Sequence, residues 1–142
     1  MKTIGIDIGT TSISGVVYDL ERNKVIHSLS KEHQSSINTD KEWEKIQDVN
    51  ILVQISKSIL DILLEKTPDC VGIGLTGQMH GILYVDSDGK AISSLFTWQD
   101  GRVLEDNLLD TLQKKTQSPV SSGYGLATHI YNLTLVSRIK KW

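Results

Sequence analysis

The sequence is 142 residues long, with 39% hydrophobic and 23% charged residues, a composition typical of one globular domain that excludes disorder and collagen. Its 15 Lys and Arg nearly balance its 17 Asp and Glu, so the net charge of -2 argues against nucleic acid as a partner. With one cysteine, no recognisable secretory signal and no apolar run near the roughly 20 residues of a membrane helix, we expect a cytoplasmic protein without disulfides or membrane contact.

Three antiparallel strands are predicted first. Isoleucines at alternate positions of residues 4–8 would share one face of a strand, which the turn Gly9-Thr10-Thr11 ends. The β-branched residues of Ser12–Tyr18 favour a second strand, and a polar turn at residues 21–24 precedes a third strand that begins at Val25.

A polar loop and an amphipathic helix follow. Residues 33–40 are polar and predict the loop. Apolar residues at helical spacing between Ile51 and Leu63 predict a helix of about 18 residues that Thr67-Pro68 ends. Its apolar face should cover a sheet.

The second half alternates strands and helices. The first predicted strand, Cys70–Leu75, should be buried. A second strand, Ile82–Val85, is followed by a hairpin turn at residues 86–90 and a third extended segment at residues 94–98. The predicted helices are Val103–Lys115 and Thr128–Trp142, the latter ending on an aromatic residue without a cap. This order predicts an α/β fold with a mixed sheet, in which three antiparallel strands precede parallel strands with covering helices.

The first candidate site is the segment Asp7-Ile8-Gly9-Thr10-Thr11. Gly9 would let backbone N–H groups approach a phosphate, the two threonines offer hydroxyls, and Asp7 could hold Mg²⁺ directly or through water. Taken alone, the segment fits a simple hairpin turn slightly better. Its position at the end of the first apolar strand keeps the phosphate hypothesis open.

Residues 72–77 have the G-x-G-x-x-G spacing of dinucleotide-binding loops. That motif must open a helix, whereas residues 78–85 continue as loop and strand, so we reject NAD as the ligand. Gln78 and His80 stand next to Gly77 and Gly81, where a ligand could approach. Without further support, a plain turn with a surface histidine is the favoured interpretation.

The segment Trp98-Gln99-Asp100-Gly101-Arg102 offers an aromatic face, an amide, a carboxylate and a guanidinium, groups that proteins use to bind sugars. Alternatively, Asp100 caps the following helix and Trp98 fills the core, and the local sequence favours neither interpretation. The sequence contains no Walker loop with its Lys, and its histidines lack the spacing of metal ligands.

Together, these segments resemble the amino-terminal part of the FGGY carbohydrate kinases, members of the actin-like superfamily with a ribonuclease-H-like fold. Residues 1–12 are similar to the first phosphate hairpin of that family, residues 74–81 to its xylulokinase-type substrate loop, and residues 96–102 to the motif that follows. Three motifs in the same order and at similar spacing are specific to this family.

The resemblance implies a kinase that uses ATP and Mg²⁺ to phosphorylate a ketose. The residues 78–81 are similar to those of ketose kinases, and residues 97–102 and 121–128 resemble sedoheptulokinases most, with xylulokinases close behind. The residues implied to face Mg²⁺ and the ATP phosphates are Asp7, Gly9, Thr10 and Thr11. The residues implied to bind the sugar are Gln78, Met79, His80, Gly81, Trp98, Gln99 and Asp100.

Members of this family are several times longer than 142 residues. The resemblance implies that the catalytic Asp base lies downstream of Trp142 and that a second, carboxy-terminal domain binds adenosine. We therefore expect residues 1–142 to be a partial amino-terminal domain that is inactive alone, with a sugar as ligand and a missing carboxy-terminal portion or a second copy as partner. The alternative is a non-catalytic remnant that binds a sugar or a partner.

Overall fold

The alternating isoleucines at the start of the chain form β1 (Lys2–Ile8), the first strand of a four-stranded sheet. The computed structural model describes residues 1–139, apart from the side chains of Asp106 and of residues 136–139. Within this part, the chain separates into two units. Unit 1 contains Met1–Ser35 and Val49–Gln78, and unit 2 contains Ser36–Asp48 and the chain from Met79 onward.

The sheet of unit 1 has the mixed direction that the sequence predicts. The strand β1 pairs antiparallel with β2 (Ser12–Asp19), and β2 pairs antiparallel with β3 (Lys24–Glu32). The other edge of β1 pairs in parallel with β6 (Cys70–Gly77), which gives the order β3-β2-β1-β6. The predicted α/β fold class is therefore confirmed.

The helix α1 (Val49–Glu65) covers one face of this sheet, as its apolar spacing predicts. Gly15 on β2 makes the close approach possible, because a Cβ there would lie 2.6 Å from side-chain atoms of Ile59 and Leu63. The core of unit 1 is aliphatic and consists of Ile4, Ile6, Ile13, Val17, Leu52, Ile59 and Leu63. The helix ends just before Thr67-Pro68, since proline cannot continue a helix.

The prediction that the strand after α1 is buried is wrong. Val71, Ile73 and Leu75 of β6 are between half and three-quarters exposed. The reason is that β6 lies beside β1 at the end of the strand order, and α1 packs over β1, β2 and β3. The apolar run thus predicts the strand correctly, but it does not predict whether another element covers the strand.

Unit 2 contains a small antiparallel sheet that the sequence analysis missed in part. Its strands are β4 (Ser36–Ile37), β5 (Ile46–Gln47) and β7 (Leu95–Phe96), in that order. The strand β4 lies inside the segment predicted as a loop. The predicted strand Ile82–Val85 forms only isolated bridges, because the Tyr84 backbone N–H donates to the Ser93 hydroxyl instead of a strand carbonyl.

The helices of unit 2 differ from prediction at their boundaries. Instead of one helix at Val103–Lys115, the chain forms a 3₁₀ helix (Arg102–Asn107) and then α2 (Leu108–Thr116), because Asn107 adopts a φ of 54°. The helix α3 (Gly125–Ile139) begins before the predicted Thr128, and the predicted end at Trp142 lies outside the described residues.

Val103, Leu112 and Ala127 form the buried cluster on which these helices of unit 2 pack. Among the described residues, no helix combines the length and apolar character that crossing a membrane requires.

Candidate functional site

The turn between β1 and β2 is tight enough to require its glycine. The Gly9 backbone N–H donates to the Ser12 carbonyl at 3.0 Å, and a Cβ at Gly9 would lie 2.9 Å from that same oxygen. Thr10 is half-buried and Thr11 is exposed. We call residues 9–11 the glycine turn.

Asp7 lies two residues before the glycine turn, with an exposed side chain. Its neighbours across the sheet are Ser14 of β2 and Thr76 of β6, and the Ser14 hydroxyl lies 2.8 Å from that of Ser30. Carboxylate and hydroxyl oxygens suit a hard cation such as Mg²⁺. The described residues contain no group of three or more His, Cys, Asp or Glu that could hold a metal, so phosphate and water oxygens would complete such a site.

Gln78 lies against the glycine turn. Its backbone N–H donates to the Ile8 carbonyl at 3.0 Å, and its side-chain Oε1 accepts from the Thr10 hydroxyl at 3.4 Å. Gly77 permits this approach, since a Cβ there would lie 3.1 Å from the Ile8 carbonyl oxygen. The structure thus joins one residue of the predicted substrate loop to the predicted phosphate turn within unit 1.

His80 belongs to unit 2, where its exposed ring stacks on that of Tyr124. The two ring centroids are 4.5 Å apart and the ring planes differ by 18°. The His80 backbone has a φ of 64°, a left-handed conformation that few residues other than glycine adopt. Its neighbour Met79 is 70% exposed. Gly81 packs against the next segment, because a Cβ there would lie 3.0 Å from the Phe96 carbonyl oxygen.

Trp98 and Gln99 are both exposed in the same unit. Trp98 is 47% exposed, so the interpretation that it fills the core is wrong. Its backbone packs against Gly123, the residue before Tyr124, where a Cβ would lie 1.6 Å from the Trp98 carbonyl oxygen. Glycine at this position thus brings the segment that carries Tyr124 to the segment that carries Trp98.

The structure corrects the expectation that Asp100 binds the sugar. Asp100 is fully buried. Its Oδ1 accepts from the Arg102 Nε at 2.6 Å and from the Arg102 backbone N–H at 3.2 Å, and its Oδ2 accepts from Arg102 Nη2 and the Lys45 backbone N–H, each at 3.0 Å. Both oxygens are therefore occupied by partners within unit 2. The capping interpretation is confirmed in part, because Asp100 accepts the backbone N–H of the first residue of the 3₁₀ helix, although the N-cap position itself is Gly101.

Arg102 extends this pair into a buried polar network. Its Nη2 donates to Glu44 at 3.2 Å and its Nη1 donates to the Asn132 side-chain oxygen of α3 at 2.9 Å. The guanidinium carbon also lies 4.1 Å from the Phe96 ring centroid. From Asn132 the network continues to the Tyr84 hydroxyl at 3.1 Å. One arginine thus ties the 3₁₀ helix to α3, to β7 and to the segment before β5.

Sequence reasoning assigned no role to Tyr124 or Glu44, and it offered the Arg102 guanidinium as a sugar-binding group, whereas the structure places that group in the buried network. A signal for Tyr124 was present, since glycines on both sides of an aromatic residue indicate close backbone approach. No comparable signal links Glu44 to Arg102, because the two residues are 58 positions apart in the chain.

The sheet order, the glycine turn between the first two strands and the helix over one face are those of the actin-like ATPase fold, within which carbohydrate kinases form one group. The chain belongs to the FGGY family of carbohydrate kinases: the sequence profile of the family's N-terminal domain matches residues 2–139.

Individual relatives agree with this assignment. A sedoheptulokinase from Mus musculus is 30% identical over 151 aligned residues, which cover 89% of this chain and 31% of that protein. The ligand-bound xylulose kinase from Lactobacillus acidophilus superimposes with a TM-score of 0.68 at 27% identity, covering 81% of this chain and 22% of the other. Plasmodium falciparum glycerol kinase with ADP has the same fold, with a TM-score of 0.79 at 20% identity over 99% of this chain and 30% of its own. The chain thus spans about a third of the curated relative's length.

Proposed function

We propose that this chain is the amino-terminal portion of an ATP-dependent kinase that phosphorylates a hydroxyl group of a ketose of the sedoheptulose or xylulose type. The observation that carries the proposal is the exposed stack of His80 on Tyr124 in the unit that also exposes Trp98. The names of the similar sedoheptulokinase and xylulose kinase supply the sugar class.

The glycine turn would hold the phosphates of ATP. A tight glycine turn lets backbone N–H groups approach phosphate oxygens, and the Thr11 hydroxyl adds a donor. The Thr10 hydroxyl would add a second donor by turning from Gln78 to the phosphate. Asp7, exposed beside the Ser14 and Thr76 hydroxyls, would hold Mg²⁺ directly or through water. Bound there, the cation would neutralise charge on the phosphates during transfer.

Unit 2 would bind the sugar. Aromatic faces pack on the apolar C–H faces of sugars while polar groups accept and donate hydrogen bonds to the hydroxyls. His80 and Tyr124 present one stacked pair, and Trp98 and Gln99 add an aromatic face and an amide. Met79 is exposed next to His80 and adds apolar contact area.

Binding of ketoses to the 142-residue chain tests the sugar assignment. Sedoheptulose and D-xylulose should shift the amide resonances of Met79, His80, Trp98 and Tyr124 in a two-dimensional NMR titration, and glycerol and gluconate should shift them less. Tyr124→Phe keeps the ring stack and should retain most of the affinity, whereas Tyr124→Ala should lose it. His80→Ala removes the other ring of the stack and should also weaken ketose binding, and its matched control is His27→Ala, because His27 is an exposed histidine of unit 1. Equal shifts for all four compounds would contradict the ketose assignment.

We also propose that these 142 residues do not complete the reaction by themselves. In phosphoryl transfer the sugar hydroxyl oxygen bonds to the γ-phosphorus, ADP leaves, and a base takes the hydroxyl proton. By the family resemblance, that base and the adenosine site lie beyond Trp142. ATP turnover that depends on a ketose, measured with the purified chain, would contradict this part of the proposal.

A non-catalytic domain that binds a sugar or a protein partner is the alternative. The exposed apolar side chains of β6, Val71, Ile73 and Leu75, favour it, since such surface is costly to leave in water. A protein that extends past residue 142 and phosphorylates a ketose would contradict the alternative.

A further inference from the structure

His33 is a buried histidine that the proposed function does not use. It follows β3 directly and is only 7% exposed. Its backbone N–H donates to the Thr11 carbonyl at 3.0 Å, and its ring Nε2 lies 3.1 Å from the Gly9 carbonyl oxygen. One residue therefore contacts both ends of the glycine turn.

The orientation of the His33 ring follows from its two partners. A carbonyl oxygen only accepts hydrogen bonds, so Nε2 must carry the proton that it donates to Gly9. In a ring with one proton, Nδ1 is then an acceptor, and it lies 2.8 Å from the hydroxyl oxygen of Ser35, which donates to it. Ser35 is itself 1% exposed, so the hydroxyl is held in the interior.

The glycine turn is held on two sides within unit 1. On one side, Gln78 bonds to Ile8 and to Thr10. On the other side, His33 bonds to Gly9 and to Thr11. Burying a polar ring is unfavourable unless its nitrogens are paired, and an apolar side chain would fill the same space without that requirement. The hydrogen bond of the ring N–H therefore indicates that His33 orients the turn in addition to filling space beside it.

We propose that His33 is a positioning residue for phosphate binding. It touches no ligand, and it acts by fixing the Gly9 carbonyl, and through it the peptide that joins Gly9 to Thr10. That peptide's N–H belongs to the part of the turn that would meet phosphate oxygens. The proposal rests on the phosphate role assigned above to the glycine turn.

Two substitutions separate the hydrogen bond from the volume of the ring. His33→Gln keeps an N–H donor near the position of Nε2, and His33→Phe keeps a ring of similar size without a donor. Inorganic tripolyphosphate with Mg²⁺ is the probe, and its affinity is read from the amide shifts of Gly9, Thr10 and Thr11 in the 142-residue chain. We expect His33→Phe to weaken binding by about 2- to 12-fold, the effect of one net hydrogen bond, and His33→Gln to stay within about 2-fold of wild type.

Two further measurements keep the proposal testable if His33→Phe does not fold. The ¹⁵N spectrum of the neutral wild-type ring should show the tautomer with the proton on Nε2, because the Gly9 carbonyl can only accept a hydrogen bond, and the opposite tautomer would overturn the proposal. Ser35→Ala removes the hydroxyl that orients the ring but leaves the ring in place, and it should weaken tripolyphosphate binding in the same direction as His33→Phe.

The outcomes distinguish the two proposals. If wild type binds and His33→Phe binds equally well, the positioning role is overturned and the phosphate role of the turn stands. Equal losses in His33→Phe and His33→Gln would overturn the positioning role in favour of packing. If wild type does not bind tripolyphosphate, the phosphate role itself fails and the role of His33 fails with it.

Discussion

Gly123 lies directly against the backbone of Trp98, so closely that a Cβ on the glycine would be 1.6 Å from the Trp98 carbonyl oxygen and 3.0 Å from its Cα. The contact joins the residue before Tyr124 to the exposed tryptophan. The placement of the proposed sugar-binding aromatic residues of unit 2 therefore depends on a glycine, which has no side chain, at position 123.

Gly123→Ala should force these two segments apart. The added methyl group meets backbone atoms, which cannot rotate away as a flexible side chain would, and overpacking of this kind costs about 1–3 kcal/mol of unfolding free energy. Chemical denaturation measures the loss, and the fluorescence of Trp98 should change with it. Gly74→Ala is the control, because a Cβ at Gly74 meets nothing within 4 Å. Equal stability of the Gly123→Ala and Gly74→Ala variants would contradict the close contact.

Arg102→Met should destabilise the chain strongly. The substitution keeps the apolar stem but leaves the buried Asp100 carboxylate without its ion-pair partner, and losing one member of a buried pair costs about 3–5 kcal/mol. Urea unfolding of the variant provides the measurement.

Arg22→Met is the matched control for that substitution. Arg22 also pairs with an aspartate, Asp19, at 3.7 Å, but the Arg22 side chain is 70% exposed. Asp19 is 8% exposed and keeps its bonds to the backbone N–H groups of Glu21 and Arg22 in the variant, so the loss should be about 0–1 kcal/mol. If both arginine variants lose the same stability, the Arg102 network does not hold unit 2 together.

The parts of the fold that depend on neighbours in the sequence were predictable. Alternating isoleucines and the helical spacing after residue 50 identify β1 and α1 because each pattern repeats within one element. The strands β4 and β5 have two residues each, too few for any pattern to repeat. The break at Asn107 depends on one backbone angle inside an otherwise helical pattern, and periodicity does not detect it.

The residues of the candidate site also divide into those that a local sequence pattern predicts and those that depend on distant residues. The glycine turn and the residues around His80 carry local motifs, so the sequence pointed to them. Asp100 carries an equally suggestive motif, yet its carboxylate is occupied by Arg102 and by the Lys45 backbone. Whether a polar residue faces a ligand or the interior depends on distant residues, and no local pattern encodes that choice.

Thr67→Val should leave the chain as stable as before or stabilise it by about 1 kcal/mol. Thr67 is fully buried and its hydroxyl has no hydrogen-bond partner among the described residues. Replacing that hydroxyl with a methyl group of the same shape removes an uncompensated desolvation cost. Thermal unfolding of the variant tests the prediction.

Thr97→Val provides the opposite case. Thr97 is also buried, but its hydroxyl donates to the Lys45 carbonyl at 2.9 Å and accepts from the Gln99 backbone N–H at 3.3 Å. Loss of the hydroxyl should cost about 1 kcal/mol, the net contribution of a hydrogen bond, because the Thr97 backbone N–H still donates to the Lys45 carbonyl at 3.0 Å. A Thr67→Val variant that loses as much as Thr97→Val would mean that the Thr67 hydroxyl has a partner.

The stability that Asp19 provides should depend on pH in a defined direction. Its carboxylate accepts the backbone N–H groups of Arg22 and Glu21 at 3.2 and 3.0 Å, and these bonds, opposed by desolvation, lower the pKa of Asp19 below its ordinary 3.8. Because the folded state holds the charged form more strongly than the unfolded state, the stabilisation is complete above the ordinary pKa. It is lost as the pH falls through the lowered pKa of the folded state.

Asp19→Asn therefore should differ from wild type by a constant amount near neutral pH, and the difference should shrink below pH 3.8, as urea unfolding at a series of pH values would measure. Asp69→Asn is the comparison that separates backbone hydrogen bonds from ion pairing as the cause of a lowered pKa. The pKa of Asp69 is lowered chiefly by the Lys2 side chain, and Asp69 is 56% exposed. Added salt should screen the Asp69 effect and leave the Asp19 effect largely unchanged, since backbone hydrogen bonds are not screened as exposed ion pairs are. A salt-sensitive Asp19 effect would assign the lowered pKa to the Arg22 charge instead of to the two backbone N–H groups.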